Sequence, residues 1–216
     1  MRIGVIGSGN IGGTAARLFS AAGHEVGVSH SSGPESLRDL VEQLGPRACA
    51  LTLEETADFG QVVLLALPWR NRLDLPAARL ASKIVVDAMN PYAPDRSLYD
   101  LHGSTSSEEV AKALPGARLV KAFNTLFARD LAGRAQPDLG FDDRPALLMA
   151  GDDIDAKQVI ADLIWQIGFA PVDTGSLREG GFLQEPGSRL YARVMTGAEA
   201  LARTAKPEQG AQQPLA

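Results

Sequence analysis

The feature that most constrains this chain is a glycine-rich turn placed directly after its first apolar run. The run is Arg2–Ile6, and the residues after it read Gly7-Ser8-Gly9-Asn10-Ile11-Gly12. A strand that leads into glycines at this spacing and then into a helix is typical of a dinucleotide-binding unit. Gly7 permits the tight turn, Gly9 lets the pyrophosphate lie against the backbone, and Gly12 lets the helix pack close to the strand. The first N–H groups of the following helix are free to bind an anion. These six residues therefore predict a pyrophosphate site, and the alternative is a plain strand-to-helix turn without a ligand.

Strand-like and helix-like segments alternate along the chain, which predicts a parallel sheet covered by helices on both faces. We therefore expect the α/β class: a Rossmann-type, doubly wound, mostly parallel sheet with a C-terminal helical extension. One nucleotide-binding domain is expected over residues 1–203, with extra strands and a closing helix from about residue 145, and a disordered tail over 204–216. The predicted strands span residues 2–6, 25–29, 48–51, 61–67, 84–88, 119–123, 146–150 and 169–173, and the predicted helices include 10–22, 34–44, 106–114 and 188–203.

Composition and charge exclude several classes of function. A net charge of −5 over 216 residues offers no basic surface for nucleic acid, and no apolar stretch reaches the length of a membrane span. The lone Cys49 cannot form an internal disulfide and no leader precedes the first strand, so we expect a cytoplasmic protein. The histidines, His24, His30 and His102, show no metal-ligand spacing. We expect no metal site, and we expect His24 at the surface or as a capping residue.

The segment after the second strand bears on which nucleotide is bound. In NAD-binding units an acidic residue about twenty positions after the glycines accepts the ribose hydroxyls, but Val28–Gly33 contains no acid. An acid there would repel a 2′-phosphate, so its absence favours NADP over NAD. We predict that His30, Ser31 and Ser32 bind the adenosine phosphate. The segment lacks an arginine, the usual ligand of a phosphate, and Arg38 lies one turn further along the chain. The alternative to a phosphate site is a polar loop that caps the next helix.

Two segments that follow apolar strands predict the nicotinamide end of the site, because ligands of doubly wound sheets lie outside the carboxyl ends of the strands. Leu67 and Pro68 follow the fourth strand, and Ala88 and Asn90 follow the fifth. We expect these four residues to line the nicotinamide. Asn90 either orients the ribose or carboxamide or starts a turn before the next proline, and Trp69 either walls the site or packs in the core.

Candidates for acid–base chemistry are few. Lys121 and Asn124 follow the sixth strand and are candidates for substrate contact, while His102 lies in a loop and is either a proton donor or a solvated side chain. Neither a Ser-His-Asp order nor a Walker-type loop stands out. We therefore assign no catalytic residue.

Taken together, the motifs resemble the family of F(420)-dependent NADP oxidoreductases over residues 1–203. The resemblance rests on the segments Gly7–Gly13, Ser31–Leu37, Asp87–Tyr92, Lys121–Leu126, Gly151–Asp153, Gly175–Leu177 and Glu185–Pro186. The chain departs from the family at Ser32, where the family has an arginine that grips the 2′-phosphate; Ser31 is retained.

The resemblance implies NADP(H) as the cofactor, coenzyme F(420) or a flavin as the second redox partner, and a homodimer whose interface includes the C-terminal segment. Hydride transfer between two bound rings needs no protein acid or base, because the cofactors carry the chemistry. Two alternatives stay open. One is NADPH-dependent reduction of a small imine or ketone, similar to the pyrroline-carboxylate reductases, with Lys121 or His102 as the proton donor. The other is non-catalytic sensing of NADP(H).

Overall fold

The computed structural model describes residues 1–205, which form an α/β structure around one sheet. The strands are β1 (Arg2–Ile6), β2 (Glu25–Ser29), β3 (Ala48–Ala50), β4 (Val62–Leu65), β5 (Ile84–Asp87), β6 (Arg118–Ala122), β7 (Ala146–Gly151) and β8 (Ala170–Asp173). The helices are α1 (Asn10–Ala21), α2 (Arg38–Leu44), α3 (Leu53–Phe59), α4 (Ala77–Leu80), α5 (Ser106–Ala113), α6 (Ala128–Gly133), α7 (Ile154–Gln166), α8 (Glu179–Phe182) and α9 (Gly197–Thr204). Two 3-10 turns cover Pro34–Leu37 and Trp69–Asp74.

The strand order explains where a ligand fits. The order is β3-β2-β1-β4-β5-β6-β7-β8, and the only antiparallel pairing among the described strands is β6 with β7. The chain moves outward from β1 in one direction through β2 and β3, and then crosses back to β4. In such doubly wound sheets the crevice at this reversal, outside the carboxyl ends of the strands, is the ligand site. The predicted fold class is confirmed.

Local sequence explains most helix starts. The side chains of Thr52, Thr105 and Thr196 each accept a hydrogen bond from the backbone N–H three residues later. The glutamate carboxylate at that position accepts in turn from the backbone N–H of the threonine, which forms capping boxes before α3, α5 and α9. Asp153 caps α7 by accepting from the N–H of Ala156 at 2.9 Å. None of the helices in the described part of the chain is long and apolar enough to cross a membrane.

The structure corrects two expectations about the helices and adds a helix that was not expected. The helix predicted over 188–203 is wrong in its first half, because the capping box at Thr196 starts α9 only at Gly197. The helix predicted from residue 34 starts as a 3-10 turn, and α2 begins at Arg38. The short α6 was not predicted. The tail was predicted over residues 204–216. Its first residue, Thr204, is instead the last residue of α9, and residues 206–216 lie outside the described residues.

Candidate functional site

The three glycines of the turn after β1 serve different purposes. Gly7 has φ +98°, a conformation that favours glycine, and a Cβ there would overlap the carbonyl group of Ala66. A Cβ at Gly12 would overlap the carbonyl oxygen of Gly7. Gly9 is different, since a Cβ there would have no protein atom within 4 Å. The fold therefore requires Gly7 and Gly12 to be glycine, whereas Gly9 faces open space.

The turn presents a row of free backbone amides. The N–H of Gly7 donates to the carbonyl oxygen of Ser29 at 3.1 Å, so Gly7 shapes the turn and has no amide left for a ligand. The amides of Ser8–Gly12 have no acceptor among residues 1–205. These amides lie at the N-terminus of the twelve-residue helix α1, whose first turn carries no acidic residue. Such a helix end attracts anions through its N–H groups and its dipole.

The residues predicted for the adenosine phosphate lie next to this turn. Ile6 at the end of β1 pairs with Ser29 at the end of β2, so the loops after the two strands are neighbours. His30, Ser31 and Ser32 are all exposed there. The Nδ1 atom of His30 accepts from the N–H of Ser32 at 3.1 Å. In the neutral ring the proton is therefore on Nε2, which is left as a donor.

The helix after this loop contributes less than the sequence suggested. Its first turn is of the 3-10 type and begins with Pro34, which has no N–H. The N–H of Ser36 donates to the carbonyl oxygen of Gly33 at 3.2 Å. Arg38 is exposed and its guanidinium lies 3.4 Å from the carboxylate of Glu35 on the same helical surface.

A pocket of about 430 Å³ lies beside the glycine turn, at the carboxyl ends of β1, β4 and β5. Sheet register explains why it forms, because Ile6, Leu65 and Asp87 are aligned across these three strands. Every residue predicted for the nicotinamide end lines this pocket, and two residues of the glycine turn line it as well: Asn10, Ile11, Leu67, Pro68, Ala88 and Asn90. Trp69 also lines it while being only 3% exposed, so this side chain both walls the pocket and packs in the core.

Asn90 is held in one orientation by a reciprocal contact with Asn124. Its Nδ2 donates to the carbonyl oxygen of Asn124 at 3.0 Å, and its Oδ1 accepts from the Nδ2 of Asn124 at 3.1 Å. The Nδ2 of Asn124 also donates to the carbonyl oxygen of Gln184 at 2.8 Å. Asn124 is 4% exposed. It therefore supports Asn90 from behind and does not line the pocket.

Lys121 is fully buried beneath the pocket. Its Nζ lies 3.3 Å from the carboxylate of Asp87 and donates to the carbonyl oxygen of Met89 and to Oγ of Ser106, both at 2.8 Å. The Asp87 carboxylate also accepts from the N–H of Met89 and from Oγ of Ser107. All three Lys121 donors are used, so this lysine holds the segment after β5 in place and is not available to a substrate.

The histidines are placed away from the pocket. His102 is exposed beside Asp100, 3.3 Å from its carboxylate, and lines a different cavity. The surface position expected for His24 is wrong: the side chain is 6% exposed, and burial lowers its pKa. Its backbone does cap α1, since the His24 N–H donates to the carbonyl oxygen of Phe19 at 3.1 Å. Residues 1–205 contain no group of three or more metal-ligating side chains.

Four residues near the crevice were not predicted from the sequence. Among residues 1–205, Arg70 is the only charged residue that lines the 430 Å³ pocket, and Tyr92 lines it too. Arg70 directly follows the predicted Leu67–Trp69 segment, so its position in the sequence could have suggested it. Arg17 and Arg129 line a second cleft of about 640 Å³, which shares Ser8, Gly9 and Asn10 with the turn. Arg129 lies on the unpredicted α6.

Comparison with known proteins agrees with this geometry. Residues 2–91 match the model of the family described as NADP oxidoreductase, coenzyme F(420)-dependent. The crystal structure of the hypothetical protein SMa0349 from Sinorhizobium meliloti is 37% identical, with a TM-score of 0.81, and the match covers 91% of this chain and 95% of that one. Residues 2–91, a little under half of the chain, are thus identified with the F(420)-dependent NADP oxidoreductase family.

The matched residues include the glycine turn, the loop after β2 and most of the residues that line the pocket, whereas Tyr92, Ala93 and Pro94 lie just beyond the match. A provisionally assigned F(420)-dependent NADP-reductase from Arthrobacter sp. FB24 has the same fold, with 24% identity, a TM-score of 0.71 and coverage of 85% of this chain and 90% of that one. Metalloreductase STEAP3 of Rattus norvegicus is 30% identical over 179 residues, which are 82% of this chain. The match spans only 34% of the rat protein.

Proposed function

We propose that this chain binds NADP(H) along the carboxyl edge of its sheet and transfers a hydride between NADP(H) and a deazaflavin, such as coenzyme F(420), or a flavin. The observation that carries the proposal is the row of unpartnered amides at Ser8–Gly12, which ends at the pocket through Asn10 and Ile11. When bound, NADPH supplies the hydride. The residues of the chain bind and orient the two rings.

The pyrophosphate fits the glycine turn on chemical grounds. A diphosphate needs several hydrogen-bond donors and a favourable potential, and the amides of Ser8, Gly9, Asn10, Ile11 and Gly12 at the start of α1 supply both. The open space at Gly9 gives room for phosphate oxygens against the backbone. Gly7 contributes the turn and no donor, because its amide is taken by Ser29.

The preference for NADP over NAD is supported by the loop after β2. His30 offers its Nε2–H, and Ser31 and Ser32 offer exposed hydroxyls, with no acid between Val28 and Gly33. An imidazole N–H and two hydroxyls bind a 2′-phosphate less strongly than the planar, bidentate guanidinium of an arginine would. We therefore propose a preference for NADP that is weaker than that of family members with arginine at position 32.

The pocket suits a planar acceptor. Its volume of about 430 Å³ falls in the range of small-molecule sites, and its walls are mainly apolar or aromatic, with Leu67, Pro68, Trp69 and Met89 among them. Apolar and aromatic side chains of this kind pack against planar rings, and holding two rings in contact is the main requirement for direct hydride transfer. Arg70 at the pocket places one positive charge beside the acceptor.

The rival reduction of a small imine or ketone is less well supported. That reaction needs a proton donor at the nicotinamide, and neither sequence candidate lines the pocket: Lys121 is buried with its donors in use, and His102 lies at another cavity. Imine reductases share the fold, at 16–18% identity with TM-scores of 0.58–0.61, and this likeness concerns the fold alone. A cytoplasmic location and a homodimer remain predictions.

A two-step titration tests the proposal. NADPH is added to the purified protein and its binding is followed by nicotinamide fluorescence; oxidised deazaflavin or FMN is then added and both absorbances are recorded. We expect tight NADPH binding followed by stoichiometric loss of NADPH and reduction of the acceptor. NADPH binding without reduction of either acceptor would favour the sensing alternative, and turnover of a cyclic imine alone would favour the imine reductase.

A further inference from the structure

Two tyrosines distant in sequence meet at the wall of the 430 Å³ pocket. Tyr92 lines the pocket and its hydroxyl lies 3.4 Å from the hydroxyl of Tyr191. The Nδ2 of Asn90, another lining residue, donates to the Tyr191 hydroxyl at 3.3 Å. Tyr191 belongs to the segment between α8 and α9, so the C-terminal part of the chain supplies one group to the edge of the site.

The direction of these hydrogen bonds leaves one phenolic proton free. Since Asn90 Oδ1 accepts from Asn124, its Nδ2 is the atom that faces Tyr191, and the Tyr191 oxygen is an acceptor in that contact. One phenolic O–H bridges Tyr92 and Tyr191. The other O–H has no acceptor among residues 1–205, whichever tyrosine carries it. The pair therefore holds, at the edge of the pocket, a hydrogen-bond donor for which the described part of the chain provides no acceptor.

The fold holds Tyr191 in this position at some cost. The next residue, Ala192, has φ +55°, a strained conformation for a residue with a Cβ. The Ala192 N–H donates to the carbonyl oxygen of Thr125 at 2.9 Å, which ties the segment to the chain after β6. Burial, and then the hydrogen bond with Tyr92, raise the pKa of Tyr191, so its hydroxyl stays protonated at neutral pH.

We propose that the Tyr92–Tyr191 pair donates a hydrogen bond to the heteroatom of the acceptor ring on which negative charge develops as the hydride arrives. This inference rests on the proposed function, because it concerns the acceptor of the same hydride. In the balanced step a C–H bond of NADPH breaks, a bond to hydrogen forms on the acceptor, and the electron pair moves with the hydrogen. NADPH is oxidised and the acceptor is reduced. The phenols keep their protons, and solvent supplies the proton that neutralises the reduced acceptor.

Three tyrosine-to-phenylalanine variants test the pair. Tyr191→Phe and Tyr92→Phe each remove one hydroxyl and keep the ring. Tyr99→Phe is the matched control, since the Tyr99 ring packs against Trp69 at a tilt of 41° and lies outside the pair. For each variant the NADPH dissociation constant, the melting temperature and the single-turnover rate with FMN and with oxidised deazaflavin are measured. NADPH deuterated at C4 shows whether hydride transfer limits that rate.

We expect Tyr191→Phe to slow hydride transfer by about ten- to a hundredfold, somewhat less than the roughly hundred- to thousandfold effect of removing an oxyanion-hole donor. The deuterium isotope effect should rise or stay high, while NADPH affinity and melting temperature stay near wild type. Tyr92→Phe should slow transfer in the same direction, and Tyr99→Phe should match wild type.

Three results separate the possible failures. A transfer rate unchanged in both Tyr191→Phe and Tyr92→Phe would overturn the inference and leave the proposed function standing. Rates that fall only in proportion to NADPH affinity and melting temperature would mark the pair as structural and would also overturn it. Wild-type protein that binds NADPH but reduces neither FMN nor deazaflavin would contradict the proposed function itself, and with it this inference.

Discussion

Replacing Gly9 with alanine tests whether this glycine is required for ligand binding, in contrast to Gly7 and Gly12, which the fold requires. At Gly9 the backbone has φ −67° and ψ −164°, which alanine adopts without strain, and the new methyl group has no protein atom within 4 Å. Loss of a favourable N-cap residue and reduced freedom of the unfolded chain act in opposite directions, each by about 0.4–1 kcal/mol. We expect the free energy of unfolding to change by less than about 1 kcal/mol.

The effect of Gly9→Ala on NADPH binding should be much larger. The methyl group projects into the open space in front of the amides of Ser8–Gly12, where the pyrophosphate is proposed to lie. Moving the phosphate outward by the width of a methyl group removes at least one hydrogen bond to a charged group, each worth about 1.5–3 kcal/mol. Since about 1.4 kcal/mol corresponds to a factor of ten, the NADPH dissociation constant should rise by about 10- to 150-fold.

Isothermal titration calorimetry with NADPH, together with urea denaturation, measures both quantities for Gly9→Ala. Gly140→Ala is the matched control, because a Cβ there also has no atom within 4 Å and φ lies outside the left-handed region. Gly12→Ala should instead lower stability, since its Cβ overlaps the Gly7 carbonyl oxygen. Equal NADPH affinities for Gly9→Ala, Gly140→Ala and wild type would refute the reasoning.

Three further predictions concern the buried lysine, the buried histidine and the loop after β2. Lys121→Met leaves the Asp87 carboxylate buried without its cation and should lower the free energy of unfolding in urea by about 3–5 kcal/mol; loss of turnover at unchanged stability would instead support a proton-donor role. Burial holds the pKa of His24 below its value in the unfolded chain, so below about pH 6.5 the unfolded state binds more protons than the folded state. The free energy of unfolding should therefore fall as the pH drops, by up to about 1.4 kcal/mol per pH unit. His24→Gln should flatten that slope in denaturation curves between pH 5 and 7, and an unchanged slope would exclude His24 as its source. Ser32→Asp should weaken NADPH about tenfold or more and NADH by less than about twofold, through like-charge repulsion of the 2′-phosphate; equal losses in binding titrations would show that Ser32 does not face that phosphate.

The parts of the site that follow single strands were predictable from the sequence. The apolar runs ending at Ile6, Leu65 and Asp87 are short, buried parallel strands, and parallel strands end at one edge of a sheet, so the residues after them meet there. The glycine spacing after Ile6 indicates a tight turn, room for a pyrophosphate and close packing of helix on strand, each of which is a local property of the sequence. The pocket-lining positions Leu67, Pro68, Ala88 and Asn90 therefore needed no knowledge of long-range contacts.

Residues whose surroundings depend on distant contacts were not predictable. The sequence predicts Lys121 as a candidate for substrate contact. In the structure, the register of β5 with β6 places it opposite Asp87, with which it forms a buried ion pair. Tyr191 lies about a hundred positions from Asn90, in a segment expected to be helical, and no local pattern indicated that its hydroxyl reaches the pocket. His24 is not part of a periodic apolar pattern, so the sequence did not predict that it is buried. In the structure it is buried in the turn between α1 and β2.

A crystal structure of the protein with bound NADP⁺ tests most directly whether the backbone amides at the start of α1 hold the nucleotide. The account predicts pyrophosphate oxygens within hydrogen-bond distance of amides between Ser8 and Gly12, with the nicotinamide in the pocket lined by Pro68 and Asn90. A nucleotide bound elsewhere, or one bound at this edge with those amides making no contact to phosphate, would contradict it.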